Sequence, residues 1–210
     1  MPTTPRRAES AKDALRHDPD RITRSLAARA VAELPRNPAA FARDLPVMLD
    51  TNAYVDQLKG KLPAAIGRFI AGRSLRHCSI ALQEIAIAIG LMDPAHPDTA
   101  RHRPPLLHLL EMIRQRDCVA PSPAAWIEGG MLAGILARTQ FGLARPKGRL
   151  SPDQACCQRG ERRWLLNDAL IFLTAQEQGA VLVTANRKDM DVLLRFGRGA
   201  QVLLYQAGPA

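Results

Sequence analysis

Four acidic residues stand just after apolar runs or early in a helical pattern, positions that collect functional side chains in a parallel sheet. Asp50 ends the run VMLD, and Glu84 follows the run HCSI by a few residues. Asp168 lies early in a strongly apolar helical pattern, and Asp189 follows the run AVLVT by five residues. Four carboxylates on one rim would repel one another and raise each other's pKa. Mg²⁺ or Mn²⁺ bound through oxygen would relieve that repulsion, so the pattern indicates a divalent-metal site.

Each acid also has an ordinary structural interpretation. An Asp after a strand commonly caps a helix or a turn, which would suit Asp50 and Asp189. An early helical Glu such as Glu84 commonly compensates the helix dipole, and Asp168 could join Asn167 in a cap. However, Glu84 and Asp168 stand among apolar neighbours, where an unpaired charge is costly. The joint placement of the acids, rather than any one of them, therefore indicates a site.

Short apolar runs alternate with helical patterns along the chain, and these elements must position the acids. Five runs predict strands: VMLD at 47–50, HCSI at 77–80, CVA at 118–120, AVLVT at 180–184 and QVLLY at 201–205. The runs are solidly apolar rather than alternating, which indicates a parallel sheet covered on both faces. Between them, helices are predicted over 54–70, LQEIAIAIGL, LLHLLEMIR, AAWIEGGMLAGILA and 165–178, with 93–105 as a connector. The sequence therefore predicts an α/β fold.

Residues 1–45 form a separate segment by composition. Within it, Asp20 and the pattern RITRSLAARAVAEL predict a short helix that ends before Pro35 and Pro38. We therefore expect an N-terminal extension, partly helical or disordered, followed by one domain over 46–206.

The net charge is +9, and 24 of the 29 basic residues are Arg. Arginine matches phosphate geometry, so this bias favours a nucleic-acid partner, although an Arg-rich composition from a GC-rich genome explains it as well. The basic loop 138–163 could contact phosphates or be merely solvated. Aromatic residues are only 4%, so recognition would depend on RNA shape and backbone rather than on base stacking. The candidate RNA-binding residues are Arg145, Lys147, Arg149, Arg162 and Arg163.

Several classes of protein are excluded as expectations. No apolar run reaches the roughly 20 residues of a membrane span, and the N-terminus lacks the apolar core of a secretion signal. The four cysteines show neither zinc nor disulfide spacing. We therefore expect a cytoplasmic protein with reduced thiols.

Four segments in order resemble the successive motifs of PIN-domain nucleases, and in particular the VapC-type toxins of type II toxin–antitoxin modules. The segments are LDTNAYVD at 49–56, SIALQE at 79–84, NDALIFLTAQEQG at 167–179 and LVTANRKDM at 182–190. The resemblance covers residues 46–206. It implies a three-layer α/β/α domain with a central parallel sheet of about five strands.

The resemblance also implies a site and an activity. Carried over residue by residue, the acidic quartet falls on Asp50, Glu84, Asp168 and Asp189, and the polar companions fall on Thr51, Asn52, Thr184 and Asn186. Asp191 is an alternative fourth acid, because a helix turns about 200° over two residues and only one of the two can face the site. The implied activity is an endoribonuclease that uses one or two Mg²⁺ or Mn²⁺ ions.

The implied partners are an RNA substrate, a cognate antitoxin and a second copy in a homodimer. Asp50 and Asp168 would bind the metal directly, whereas Glu84 and Asp189 would bind it or orient its water. Two other functions stay open at this point: a structure-specific DNA nuclease with the same site, and a non-catalytic module that binds nucleic acid or a partner.

Overall fold

A computed structural model of the protein describes residues 25–142, 161–197 and 199–209. These residues form two compact units. One unit contains residues 27–121, 170–197 and 199–209. The other contains residues 25–26, 122–142 and 161–169.

The first unit contains a parallel β-sheet. Its strands are β1 (Val47–Leu49), β2 (Leu75–Cys78), β3 (Cys118–Val119), β4 (Val181–Thr184) and β5 (Gln201–Leu204). They are arranged in the order β3-β2-β1-β4-β5, and every neighbouring pair is parallel. The five strands lie at or within two residues of the predicted runs. The largest shift is in β2, which starts at Leu75 because this residue pairs with Val47.

Burial explains why the strands could be found from solid apolar runs. All three residues of β1 and the first three of β4 are at most 1% exposed. These two strands lie at the centre of the sheet, where both faces are covered.

The helices are α1 (Thr51–Leu58), α2 (Ala64–Ala71), α3 (Ser79–Gly90), α4 (Thr99–Met112), α5 (Pro123–Leu136), α6 (Glu161–Glu177) and α7 (Arg187–Leu193). In the sheet-containing unit, α1 packs on β1 and β4, and α3 packs on β2. A parallel sheet flanked by helices is the α/β architecture that the sequence predicts, and it is consistent with a three-layer PIN-like fold. No helix within the described ranges combines the length and the apolar character that a membrane span requires.

Two helix predictions need correction. The single helix expected over 54–70 is divided into α1 and α2, because Gly60 adopts φ +68° and Pro63 then precedes the second helix. The expected connector 93–105 is shorter than predicted, since α4 begins at Thr99 and includes Pro104 and Pro105. Proline in a helix interior removes one backbone donor, so composition alone argues against this helix start.

The N-terminal helix prediction is wrong over the residues that can be compared. Residues 25–30 are irregular, and only Val31–Glu33 form a short 3₁₀ turn, while residues 1–24 lie outside the described ranges. The backbone groups of this segment bond to distant residues instead of to each other. The N–H of Arg29 donates to Asp191 at 2.9 Å, and the carbonyl of Pro35 accepts from the N–H of Leu204 at 2.8 Å. Tertiary contacts therefore override the local helical pattern.

The second unit contains α5 and the first half of α6. Ser122 caps α5 by accepting the N–H of Ala125 at 3.1 Å, and Pro123 occupies the first helical position. The helix continues into a π-helical turn over Ala137–Gly142.

Candidate functional site

Asp50 is the centre of a buried polar network at the carboxyl end of β1. Its side chain is at the N-cap of α1, and the residue is only 3% exposed. One carboxylate oxygen accepts the N–H of Thr51 at 2.7 Å. The other accepts the side-chain amide of Asn52 at 2.5 Å and the hydroxyl of Thr184 at 2.6 Å. The carboxylate is therefore held in one orientation by groups from two neighbouring strand ends.

Thr184 and Asn52 lock the end of β4 to the end of β1. The Thr184 hydroxyl donates to Asp50 and accepts the backbone N–H of Asn186 at 2.9 Å and the amide of Asn52 at 3.1 Å. In turn, the side-chain oxygen of Asn52 accepts the N–H of Ala185 at 2.8 Å. These contacts satisfy the polar groups around a carboxylate that burial would otherwise penalise.

Glu84 is brought to the same network by Thr51. The N–H of Thr51 donates to Asp50, while its hydroxyl donates to a carboxylate oxygen of Glu84 on α3. One residue therefore connects two predicted site carboxylates that are 34 positions apart in the chain.

The electrostatics of Asp50 are those of a charge that lacks a counterion. Burial raises the pKa of Asp50 above its ordinary value, and the charge of Glu84 raises it further. The hydrogen bonds from Thr184, Thr51 and Asn52 oppose this increase without cancelling it. A bound cation would favour the ionised carboxylate, since opposite charge lowers a carboxyl pKa.

The donor atoms around Asp50 fit Mg²⁺. They are carboxylate and hydroxyl oxygens, which are hard ligands, and Mg²⁺ in proteins is commonly held by one or two carboxylates with water completing its shell. Over residues 25–142, 161–197 and 199–209, no three His, Cys, Asp or Glu side chains form a metal-holding group. Asp50 and Glu84 therefore supply a two-carboxylate arrangement rather than a closed cage.

The two candidates for the fourth acid have different surroundings. Asp189 is half-buried in the first turn of α7, where its N–H donates to the side-chain oxygen of Asn186 at 3.3 Å. Asp191 is buried, and both of its oxygens are engaged by arginines: Arg29 at 2.5 Å and Arg195 at 3.1 Å. Because Asp191 is committed to this ion-pair cluster, the geometry favours Asp189 as the acid available to a ligand.

The remaining predicted residues lie in the unit that contains α5, or outside the described ranges. Asp168 is half-buried on α6, and Arg162 and Arg163 are exposed in the first turn of that helix. Arg145, Lys147 and Arg149 lie outside the described residues.

One further pair next to the site was not predicted from the sequence. The hydroxyl of Tyr205, directly after β5, donates to a carboxylate oxygen of Asp56 on α1 at 2.8 Å. Burial, the bond to Asp56 and the charges of Asp56 and Asp50 all raise the pKa of Tyr205, which keeps it a donor at neutral pH. The signal was Asp56 itself, which lies on the same helix as Thr51 and Asn52.

Comparison with solved structures finds chains of similar structure. One is VapBC2 from Rickettsia felis bound to a DNA fragment from their promoter, with 17% identity, a TM-score of 0.47 and coverage of 77% of this chain and 100% of that chain. DNA-bound VapBC from Salmonella typhimurium has 23% identity, a TM-score of 0.46 and coverage of 75% and 96%. VapBC-1 from nontypeable Haemophilus influenzae has 19% identity, a TM-score of 0.47 and coverage of 76% and 98%.

No protein-family model and no curated protein matches the chain. The chain is thus structurally similar to VapBC toxin–antitoxin complexes, the kind of module whose VapC toxin its sequence motifs resemble.

Proposed function

We propose that the protein is a cytoplasmic, divalent-metal-dependent endoribonuclease that acts as the toxin of a toxin–antitoxin pair. The observation that carries the proposal is the buried Asp50 carboxylate, which Thr51 connects to Glu84 at the carboxyl end of a parallel sheet. Its raised pKa marks a site built to receive positive charge. The motif resemblance supports RNA as the substrate, and the net charge of +9 is suited to a polyanion.

Asp50 and Glu84 would hold the metal, and Asp168 and Asp189 are proposed as the remaining acids of the quartet. Bound Mg²⁺ would supply an activated water and charge relief at the leaving oxygen of the scissile phosphodiester. Thr51, Asn52 and Thr184 fix the orientation of the carboxylates through the hydrogen bonds described above. The proposal also includes a cognate antitoxin and a homodimer, both of which the motif resemblance implies.

Removal of the metal provides the direct test of the proposed activity. We expect the purified protein to cleave labelled tRNA or mRNA in Mg²⁺ and to lose that cleavage in EDTA, because the carboxylates alone cannot neutralise a phosphodiester. Cleavage products are resolved on denaturing gels, and added Mg²⁺ should restore the reaction.

A flap DNA of matched length, assayed beside the RNAs, separates the two enzyme classes. Cleavage of the flap DNA with both RNAs intact would replace the ribonuclease proposal by a DNA nuclease. Absence of cleavage, together with absence of Mg²⁺ binding by calorimetry, would favour a binding module.

Thr184→Val tests whether the hydrogen-bond network orients Asp50. The change keeps the side-chain shape but removes the hydroxyl that bonds Asp50, Asn52 and Asn186, so we expect kcat/KM for RNA to fall by roughly 10- to 100-fold. The matched control is Thr174→Val, since the buried Thr174 hydroxyl donates to a helix carbonyl, that of Leu170, at 2.7 Å. Equal losses in the two variants would indicate a general packing effect rather than orientation of Asp50.

A further inference from the structure

A cavity of about 450 Å³ lies beside the carboxyl ends of β4 and β5. Its lining includes Ala185 after β4, Tyr205 after β5, Arg187 at the start of α7, and Leu34 and Arg36 from the N-terminal segment. One wall of this cavity is therefore formed by the segment before the sheet, which the sequence predicts to be a separate extension.

Two arginines give the cavity its chemical character. Arg36 and Arg187 are both exposed and line it from different segments, and no acidic side chain in the described part of the chain lines it. Neither guanidinium has a hydrogen bond or ion pair with any of the described residues. Two guanidinium groups without carboxylate partners form a site for an anion, and the planar fork of Arg fits phosphate in particular.

The cavity adjoins the Asp50 network through the backbone of its own lining residues. The N–H of Ala185 donates to the side chain of Asn52 at 2.8 Å, and Asn52 bonds Asp50. The N–H of Tyr205 donates to the carbonyl of Thr184 at 3.1 Å, and the hydroxyl of Thr184 bonds Asp50. An anion between the two arginines would therefore lie next to the residues that orient the site carboxylate.

The wall that carries Arg36 is anchored on both sides. Leu34 is 6% exposed, and the carbonyl of Pro35 accepts the N–H of Leu204 on β5 at 2.8 Å. Earlier in the segment, Arg29 is paired with the buried Asp191. Arg36 therefore projects from a fixed backbone, which reduces the entropy lost when it binds an anion.

We propose that this cavity is a subsite for a backbone phosphate of the RNA strand, next to the phosphate that is cleaved at Asp50; the inference rests on the proposed ribonuclease function. A strand that places one phosphate at Asp50 must place others one nucleotide away on either side. A regular polyanion therefore requires a cationic contact close to the carboxylates, which an isolated acidic peptide does not.

The test is binding of a fluorescent single-stranded RNA of about 12 nucleotides by the full chain in EDTA, where cleavage does not interfere. We expect the double variant R36A/R187A to bind at least tenfold more weakly, with a log Kd against log salt slope that is smaller by about 1.4, or 0.7 per lost phosphate contact. Both side chains are exposed, so the thermal unfolding midpoint should not change.

The matched control is R101A/R116A, which removes the same charge from exposed positions on α4 and on the turn before β3. β3 is the opposite edge strand from β5. RNA binding should persist in this control with the wild-type salt slope. An unchanged Kd in R36A/R187A, or an equal loss in the control pair, would overturn the subsite.

Two competitors distinguish other occupants. An acidic peptide that loses binding in R36A/R187A while RNA binding is unchanged would overturn the inference in favour of a protein ligand. Inorganic phosphate that binds as tightly as the RNA would overturn it in favour of a free anion. Cleavage is scored separately in Mg²⁺: RNA binding that depends on the two arginines, without any cleavage, would contradict the ribonuclease proposal alone.

Discussion

Asp50→Asn is expected to lower RNA cleavage by about a thousandfold or more, which corresponds to roughly 4 kcal/mol of transition-state stabilisation. The side chain keeps its shape but loses the charge that would hold the metal. Cleavage of labelled RNA at saturating Mg²⁺ measures the effect. Expression of the variant in a bacterial host should also fail to arrest growth.

The fold should survive this substitution. Asp50→Asn removes a buried charge that burial and Glu84 both disfavour, which offsets the poorer hydrogen bonding of an NH₂ group at one former oxygen position. We therefore expect the thermal unfolding midpoint to stay close to that of the wild type. The matched control is Asp44→Asn, which removes one exposed carboxylate before β1, at the end of that strand opposite Asp50. Growth arrest by Asp50→Asn equal to that of the wild type would refute the catalytic assignment.

Asp191→Ala is expected to lower the free energy of unfolding by about 3 kcal/mol, at the lower end of the range for breaking a buried ion pair. Asp191 has a side chain only 3% exposed, whereas Arg29 and Arg195 are 33% and 25% exposed and can regain some water. One guanidinium nitrogen of Arg29 is already buried without a hydrogen bond, so loss of the carboxylate leaves that charge poorly compensated. Urea unfolding measures the change.

A double-mutant cycle with Arg29→Ala isolates the pair. The double variant should lose less stability than the sum of the single losses, because each single change already breaks the same interaction. Additive losses would show that the two residues stabilise the fold independently.

The pH dependence of stability gives a second readout for Asp191. Burial alone would raise the pKa of Asp191, but the hydrogen bonds from Arg29 and the charges of Arg29 and Arg195 outweigh it and hold the pKa below the ordinary value of 3.8. The unfolded chain therefore binds this proton first as the pH falls. The contribution is fully present well above pH 3.8 and is lost as the pH falls below it, a loss that Asp191→Ala should not show.

The elements that the sequence predicted well are those whose residues face a covered sheet on both sides. β1 and β4 are solid apolar runs because they are central, and their ends identify Asp50 and Thr184 as neighbours. The break between α1 and α2 was predictable in principle, since Gly60 and Pro63 are strong local signals.

The path of the N-terminal segment was not predictable from local pattern. Its conformation depends on Arg29 meeting Asp191, a residue 162 positions away, and on Pro35 meeting β5. The cavity with Arg36 and Arg187 exists only because of that path, so no motif could have indicated it. The acids of the site could be predicted from the sequence because each stands beside a local element boundary.

The bond between Pro35 and Leu204 also affects how the sheet meets other chains. An edge strand with free amides is a template for strand addition and for aggregation, and natural proteins shield or shorten such edges. Here β3 has only two residues, and an outward amide of β5 is already taken by the carbonyl of Pro35. The sheet therefore offers little main chain to a partner strand at either edge, so an associating protein must engage this unit mainly through side chains.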